Sequence, residues 1–132
     1  MGRKVLIIED EVHIQKLLEM ILSKSDFEVR LASNGEDGLK KVGSTPKPDI
    51  VLLDIMMPGI DGLQVLRAIR ENSNTKDIPV IMLTALAQEN VVLQGVKLGA
   101  KDYIRKPFHP QELVERIRKA LDEHAAAVKK VS

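Results

Sequence analysis

The chain has 132 residues, a net charge of +1 and no cysteine. This length fits one compact domain that can bury its own core. The balanced charge gives no general attraction for nucleic acid or an anionic membrane, and the lack of cysteine excludes disulfides and thiolate metal sites. Its apolar runs are too short to span a bilayer, and the N-terminal run ends in acids without a signal-peptide cleavage pattern. We therefore expect a cytoplasmic protein with no membrane or nucleic-acid partner.

Short apolar runs that predict strands alternate along the chain with segments of helical periodicity. The predicted strands are residues 5–8, 28–32, 50–53, 80–83 and 103–104. The predicted helices cover residues 14–22, 35–42, 63–69, 91–98 and 113–121. Five such units in a row predict a parallel sheet with helices on both faces. We assign residues 1–124 to this domain and expect residues 125–132 to be a C-terminal tail or the start of a linker.

Reactive side chains follow four of the five predicted strands. Glu9 and Asp10 follow the first strand, Asp54 the third, Thr84 the fourth and Lys106 the fifth. The carboxyl ends of parallel strands lie at one edge of a sheet, where α/β proteins bind their ligands. The sequence therefore predicts that three carboxylates, a hydroxyl and an ammonium group meet at this edge.

This set of groups suits phosphoryl transfer to a carboxylate. Three neighbouring carboxylates repel one another, and Mg²⁺ relieves that repulsion. Asp54 follows a four-residue apolar run, so its carboxylate should be partly shielded and held in place as a nucleophile that forms an acyl phosphate. Lys106 and Thr84 would stabilise the charge of the transferred group. Each residue alone has an ordinary explanation as a solvated acid, a surface lysine or a strand threonine, and only their joint position favours a site.

Four motifs carry a resemblance to a known family. They are VLIIEDE at residues 5–11, VLLDIMMPGIDG at 51–62, TA at 84–85 and GAKDYIRKPF at 99–108. In this order and spacing they resemble the response-regulator receiver domains, the CheY-like family of two-component signalling. The resemblance covers residues 4–121 and implies a flavodoxin-like, doubly wound α/β fold. Its five parallel strands would have the order 2-1-3-4-5, with five helices.

The resemblance implies a metal-dependent phosphoacceptor. Asp54 would receive a phosphoryl group from a sensor histidine kinase or a histidine phosphotransfer protein. Asp10 and Asp54 would bind Mg²⁺ directly, Glu9 through water, and Met56 through its backbone carbonyl. The chain would then be a signalling domain that assists its own phosphorylation and slow dephosphorylation, and not an enzyme.

The resemblance also implies a conformational switch. Thr84 and Lys106 would contact the phosphoryl group, and Lys106–Pro107 matches a cis peptide bond of the family. As Thr84 moves toward the phosphate, Tyr103 would turn inward. This movement would change the face formed by the fourth helix, fifth strand and fifth helix, where a downstream output protein or domain would bind.

Four positions depart from the family pattern. Glu9 stands where the family more often has Asp, but the carboxylate is kept, so metal binding should survive. Met56 and Leu86 are apolar where many members carry polar residues, and an apolar side chain cannot align an attacking water. We therefore expect slow loss of phosphate. Lys101 stands where an acid is common, and the sequence gives it no function.

Other classes of function are less consistent with the sequence. A pseudo-receiver that only docks partners would not need every acidic, hydroxyl and lysine position filled. A magnesium-dependent aspartyl-phosphate phosphatase would need a second acid and an insertion that covers its substrate. A flavin-binding flavodoxin-like module would need a loop rich in Ser, Thr and Gly after the first strand, where this chain has acids.

Overall fold

Five strands and five helices alternate in the computed structural model, which describes residues 2–85 and 89–131. The strands are β1 (Arg3–Ile8), β2 (Phe27–Ala32), β3 (Ile50–Asp54), β4 (Val80–Thr84) and β5 (Asp102–Arg105). The helices are α1 (Val12–Lys24), α2 (Gly35–Gly43), α3 (Gly62–Glu71), α4 (Glu89–Lys97) and α5 (Pro110–Val131). None of the described helices is long and apolar enough to cross a membrane.

The strands form one parallel sheet in the order β2-β1-β3-β4-β5. This is the predicted order, so the expected doubly wound fold is confirmed. The register places the strand ends almost level, because Ile8 pairs with Leu53 and Asp54 with Leu83. Residues that follow the strands are therefore brought to one edge of the sheet.

The core consists of two apolar layers, one on each face of the sheet. Val5 and Ile7 of β1 pack in the layer that α1 and α5 cover. Leu6 and Ile8 of the same strand pack in the layer that α3 covers. Successive strand residues point to opposite faces, so a continuous apolar run is what a strand covered on both sides requires.

The predicted element bounds are close to the observed ones. Strand β2 begins one residue earlier than predicted and α4 two residues earlier. The largest difference is at the C-terminus, where α5 continues without a break to Val131. Its last buried residue among those described is Leu121, and residues 122–129 are exposed apart from the partly exposed His124. The boundary at residue 124 therefore falls inside a helix and stays a prediction.

Candidate functional site

The predicted site residues Glu9, Asp10 and Asp54 lie together at the carboxyl edge of the sheet. Because β1 and β3 end at the same level, Glu9 comes next to Asp54. One carboxylate oxygen from each of the three acids lies within 4.8 Å of the others. Glu9 and Asp54 are buried, whereas Asp10 is exposed. The acids thus form a cluster that is open to solvent on the Asp10 side.

Asp54 is a buried carboxylate with few groups to balance its charge. It is 2% exposed, and its Oδ1 accepts a hydrogen bond from the Met56 N–H at 3.1 Å. Burial and the adjacent Glu9 carboxyl raise the pKa of Asp54 to about 7, which the Lys106 charge and the Met56 N–H only partly oppose. The ionised form of Asp54 is therefore costly unless a further cation is present.

Lys106 provides the positive charge beside the acids. Its Nζ lies 2.6 Å from Glu9 Oε1 and 3.3 Å from Asp54 Oδ1. Burial alone would lower the pKa of Lys106, but the hydrogen bond with Glu9 and the two carboxylate charges outweigh it and raise the pKa. The Lys106–Pro107 peptide bond is cis, and the Lys106 N–H donates to Thr84 O at 2.7 Å. The loop after β5 is thus fixed to the end of β4.

Thr84 and Tyr103 lie at different levels of the sheet. Thr84 ends β4 and is 2% exposed, one residue beyond the partner of Asp54 in the register. Tyr103 pairs with Met82 in the middle of the β4–β5 ladder and is 37% exposed. Tyr103 therefore does not belong to the acid cluster. Leu86, which we expected beside the site, lies outside the described residues.

The loop after Asp54 is held by the start of α3. The side chain of Asp61 caps this helix and forms a capping box with Gln64. The Gly62 N–H donates to Ile55 O at 3.0 Å, and a Cβ at Gly62 would lie 2.5 Å from Asp54 O. A residue without a side chain is therefore needed here. The sequence analysis did not single out Gly62, and it missed this contact with the Asp54 backbone.

Lys101, for which the sequence gave no function, has a structural partner in α5. Its Nζ lies 2.7 Å from Glu123 Oε2. Nearby, Arg116 NH1 donates to Asp102 Oδ1 at 2.9 Å and to Tyr103 O at 3.0 Å. These contacts join the start of β5 to α5, far from the acid cluster.

The donor set fits a hard divalent cation such as Mg²⁺. Three carboxylates converge there, and Lys106 is the one cationic side chain that the described part of the chain pairs with them. The three carboxylates would fill only part of the coordination shell of Mg²⁺. Water and phosphate oxygens would complete it, which is how proteins usually bind this ion. The site can thus bind a metal ion and present a carboxylate nucleophile beside it.

The fold and this acidic site define a class of signalling protein. The family model described as the response regulator receiver domain matches residues 5–118. The chain therefore belongs to the receiver domains of two-component response regulators, as the motifs predicted. This is a family of signalling domains and not a class of enzymes.

Particular relatives support the same assignment. The chain is 43% identical over 118 residues to the transcriptional regulatory protein ResD of Bacillus subtilis (strain 168), covering 89% of this chain and 48% of ResD. It is 40% identical over 118 residues to the phosphate regulon transcriptional regulatory protein PhoB of Escherichia coli (strain K12), covering 89% of this chain and 51% of PhoB. This chain spans about half the length of these curated relatives.

A solved structure shows the same architecture. The response regulator receiver domain protein (CheY-like) from Methanospirillum hungatei JF-1 superposes with a TM-score of 0.89 at 28% identity. The match covers 96% of this chain and 99% of that chain. The doubly wound sheet is therefore that of a CheY-like receiver domain.

Proposed function

We propose that this chain accepts a phosphoryl group on Asp54 from the phosphohistidine of a sensor histidine kinase or histidine phosphotransfer protein. The observation that carries the proposal is the position of the Asp54 carboxylate. It is buried at the carboxyl edge of the sheet, 3.3 Å from Lys106 Nζ and clustered with two other acids. A nucleophile and a cation in contact are what phosphoryl transfer to a carboxylate needs. The proposal includes the cytoplasmic location predicted from the sequence.

The reaction moves one phosphoryl group between two partners. An Asp54 oxygen forms a bond to phosphorus while the phosphorus–nitrogen bond to the donor imidazole breaks, and the electron pair of that bond stays on the nitrogen. Lys106 and the Thr84 hydroxyl would bind the oxygens of the transferred group as charge develops on them. Asp10, Asp54 and the Met56 carbonyl would hold the metal, with Glu9 acting through water. When bound, Mg²⁺ supplies positive charge that offsets the carboxylates and the phosphoryl oxygens.

Phosphorylation of Asp54 would change the surface formed by α4, β5 and α5. The phosphoryl group adds a charge of about −1.5 to −2. In the proposed switch, Thr84 moves toward it and Tyr103, now 37% exposed, turns inward. The face formed by α4, β5 and α5 would then bind the output partner. Two relatives are named as transcriptional regulators and are about twice as long as their match to this chain, which supports an output exerted through another domain or protein.

Phosphate loss is expected to be slow. The Met56 side chain follows Asp54 by two residues and is 65% exposed beside the site. A thioether neither donates a hydrogen bond to a water nor removes its proton, so it does not prepare water for attack on the acyl phosphate. The slow dephosphorylation predicted from Met56 and Leu86 is part of this proposal.

The proposal is tested by intact-mass analysis after incubation with acetyl phosphate, with and without Mg²⁺. We expect one phosphate adduct that requires Mg²⁺, is lost in Asp54→Ala and decays slowly after the donor is removed. Asp122→Ala is the matched control, because Asp122 is an exposed aspartate of α5 outside the site. An adduct that persists in Asp54→Ala would contradict the assignment of Asp54. No adduct in the wild type would favour a pseudo-receiver that only docks partners, and turnover of a phosphorylated substrate would favour an aspartyl-phosphate phosphatase.

A further inference from the structure

A buried glutamine supports the turn that carries the first two acids. Gln15 lies in α1 and is 8% exposed. Its Nε2 donates to Glu9 O at 2.5 Å and to Ser33 Oγ at 3.2 Å. One carboxamide therefore joins the end of β1, the segment after β2 and the first turns of α1.

The three acids of the cluster are not held equally well. The Glu9 carboxylate contacts Lys106 at 2.6 Å and accepts the Glu11 N–H at 3.1 Å. The Asp54 carboxylate contacts Lys106 and the Met56 N–H. Asp10 is exposed, and within residues 2–85 and 89–131 no hydrogen bond or ion pair holds its side chain. The direction of the Asp10 carboxylate therefore depends on the backbone from which it extends.

Gln15 fixes that backbone. The Glu9 carbonyl and the Asp10 N–H belong to one planar peptide unit, so the bond from Gln15 Nε2 to Glu9 O sets the plane in which Asp10 begins. The Glu9 N–H is held on its other side by Ala32 O at 3.0 Å. Because the Glu9 carbonyl and the Glu9 N–H are both hydrogen-bonded, the peptide unit that leads into Asp10 has little freedom to rotate.

Gln15 occupies a buried position of α1 that would suit an apolar residue, so its polar side chain needs an explanation. The buried residues of α1 are Gln15, Leu18 and Leu22, which lie on one face of the helix. An apolar residue at position 15 would pack there without any polar group that needs a hydrogen bond. A buried carboxamide is costly unless its N–H groups are bonded, and here they bond to the acidic turn and to Ser33.

We infer that Gln15 is a positioning residue that directs Asp10 toward the metal and so sets the affinity of the site for Mg²⁺. The inference rests on the proposed function in that Mg²⁺ is taken as the ligand of the acids. Ser33 acts through Gln15, because its hydroxyl accepts the other hydrogen bond of Gln15 Nε2.

The test is a calorimetric Mg²⁺ titration of the whole chain and its variants. We expect Gln15→Met to weaken Mg²⁺ binding about tenfold, as is usual when a group that orients a metal ligand is lost. Ser33→Ala should weaken it less, and the double variant should bind Mg²⁺ no more weakly than Gln15→Met alone. Gln94→Met is the matched control, because Gln94 is exposed on α4 and the chemical change is the same.

A second readout separates positioning from general damage to the fold. At saturating Mg²⁺ the phosphorylation rate of Gln15→Met with acetyl phosphate should return to that of the wild type. A maximal rate that stays low, or an equal loss of affinity in Gln94→Met, would overturn the inference. Should Gln15→Met not fold, the exposed Ser33→Ala carries the test, and unchanged Mg²⁺ affinity there would count against Gln15.

Failure of this inference is distinguishable from failure of the proposed function. A wild-type chain that binds Mg²⁺ and accepts phosphate, beside a Gln15→Met variant of equal affinity, would overturn the positioning role alone. A wild-type chain that binds no Mg²⁺ would overturn the proposed function and this inference together.

Discussion

At the scale of single residues, Asp54 combines two requirements that oppose each other. To act as the proposed nucleophile its carboxylate must be ionised, yet Asp54 is buried beside Glu9, and this raises its pKa to about 7. Lys106 contacts both acids but supplies only one positive charge. In the absence of metal, the folded chain therefore bears an electrostatic cost at this residue.

This cost predicts that Asp54→Asn stabilises the metal-free protein. The amide keeps the shape of the side chain but removes a buried charge next to Glu9, while Lys106 keeps Glu9 as its partner. We expect the free energy of unfolding at pH 8 in EDTA to rise by about 1–3 kcal/mol. Urea denaturation measures this directly.

An exposed aspartate provides the comparison for this measurement. Asp122→Asn should change the free energy of unfolding by no more than about 0.5 kcal/mol, as is usual at the surface. An Asp54→Asn variant that is less stable than the wild type in EDTA would show that the contact with Lys106 outweighs the repulsion.

At the scale of elements, the start of α3 is pressed against the end of β3. Gly62 is the first residue of α3, and a Cβ there would meet Asp54 O and Ile55 Cα, each at 2.5 Å. Both are backbone atoms that cannot move aside as the tip of a side chain can. The close approach of α3 thus fixes the backbone of Asp54, the proposed phosphoacceptor.

We therefore expect Gly62→Ala to be destabilising, although alanine is the better helix former. Overpacking of this kind costs about 1–3 kcal/mol, and it should also slow phosphorylation because the Asp54 backbone must shift. Gly43→Ala is the control, since Gly43 ends α2 and a Cβ there meets nothing within 4 Å. Urea denaturation shows whether the free energy of unfolding falls in Gly62→Ala but not in Gly43→Ala. Equal stability for the two variants would mean that α3 can move away without cost.

Helix α4 is packed less tightly than α3. Of its residues 90–97 only Gly95 is buried. Its far end is followed by Gly99, whose carbonyl accepts a hydrogen bond from Arg70 NH2 at 2.8 Å. Arg70 NH1 also donates to Ile78 O at 2.8 Å, so one guanidinium joins the loops before β4 and β5. This end of α4 is therefore anchored at the edge of the sheet opposite the acids.

At the scale of the whole molecule, the proposed switch carries a local event at Asp54 to the face formed by α4, β5 and α5. Tyr103 lies on that face, and Arg116 of α5 donates to its carbonyl at 3.0 Å. The chain has one tyrosine and no tryptophan. Its intrinsic fluorescence therefore reports on Tyr103 alone.

We expect acrylamide to quench this fluorescence less after phosphorylation than before it. An inward turn would remove the exposed ring from the quencher, and a population shift between two states predicts a change that scales with the phosphorylated fraction. Asp54→Asn, treated with the same acetyl phosphate and Mg²⁺, is the control and should show no change. Unchanged quenching in a fully phosphorylated wild type would contradict the inward movement of Tyr103.

The sequence by itself determined the parallel sheet and the residues at its carboxyl edge, while the resemblance to receiver domains supplied the strand order. Continuous apolar runs such as residues 50–53 predict strands covered on both faces, and Asp54 at the end of one predicts a carboxylate at the edge. These features depend on local periodicity and on the geometry that all parallel sheets share. They could therefore be predicted without coordinates.

Only the tertiary structure decided how the groups at that edge contact one another. The ion pair between Lys106 and Glu9 joins residues 97 positions apart, and the contact between Gly62 and the Asp54 backbone depends on the approach of α3. The polar Gln15 on a buried helix face was a signal in the sequence, but its bond to Glu9 O required the turn between them to be known. Such contacts form when separate elements pack together, and local periodicity carries no information about the distances between them.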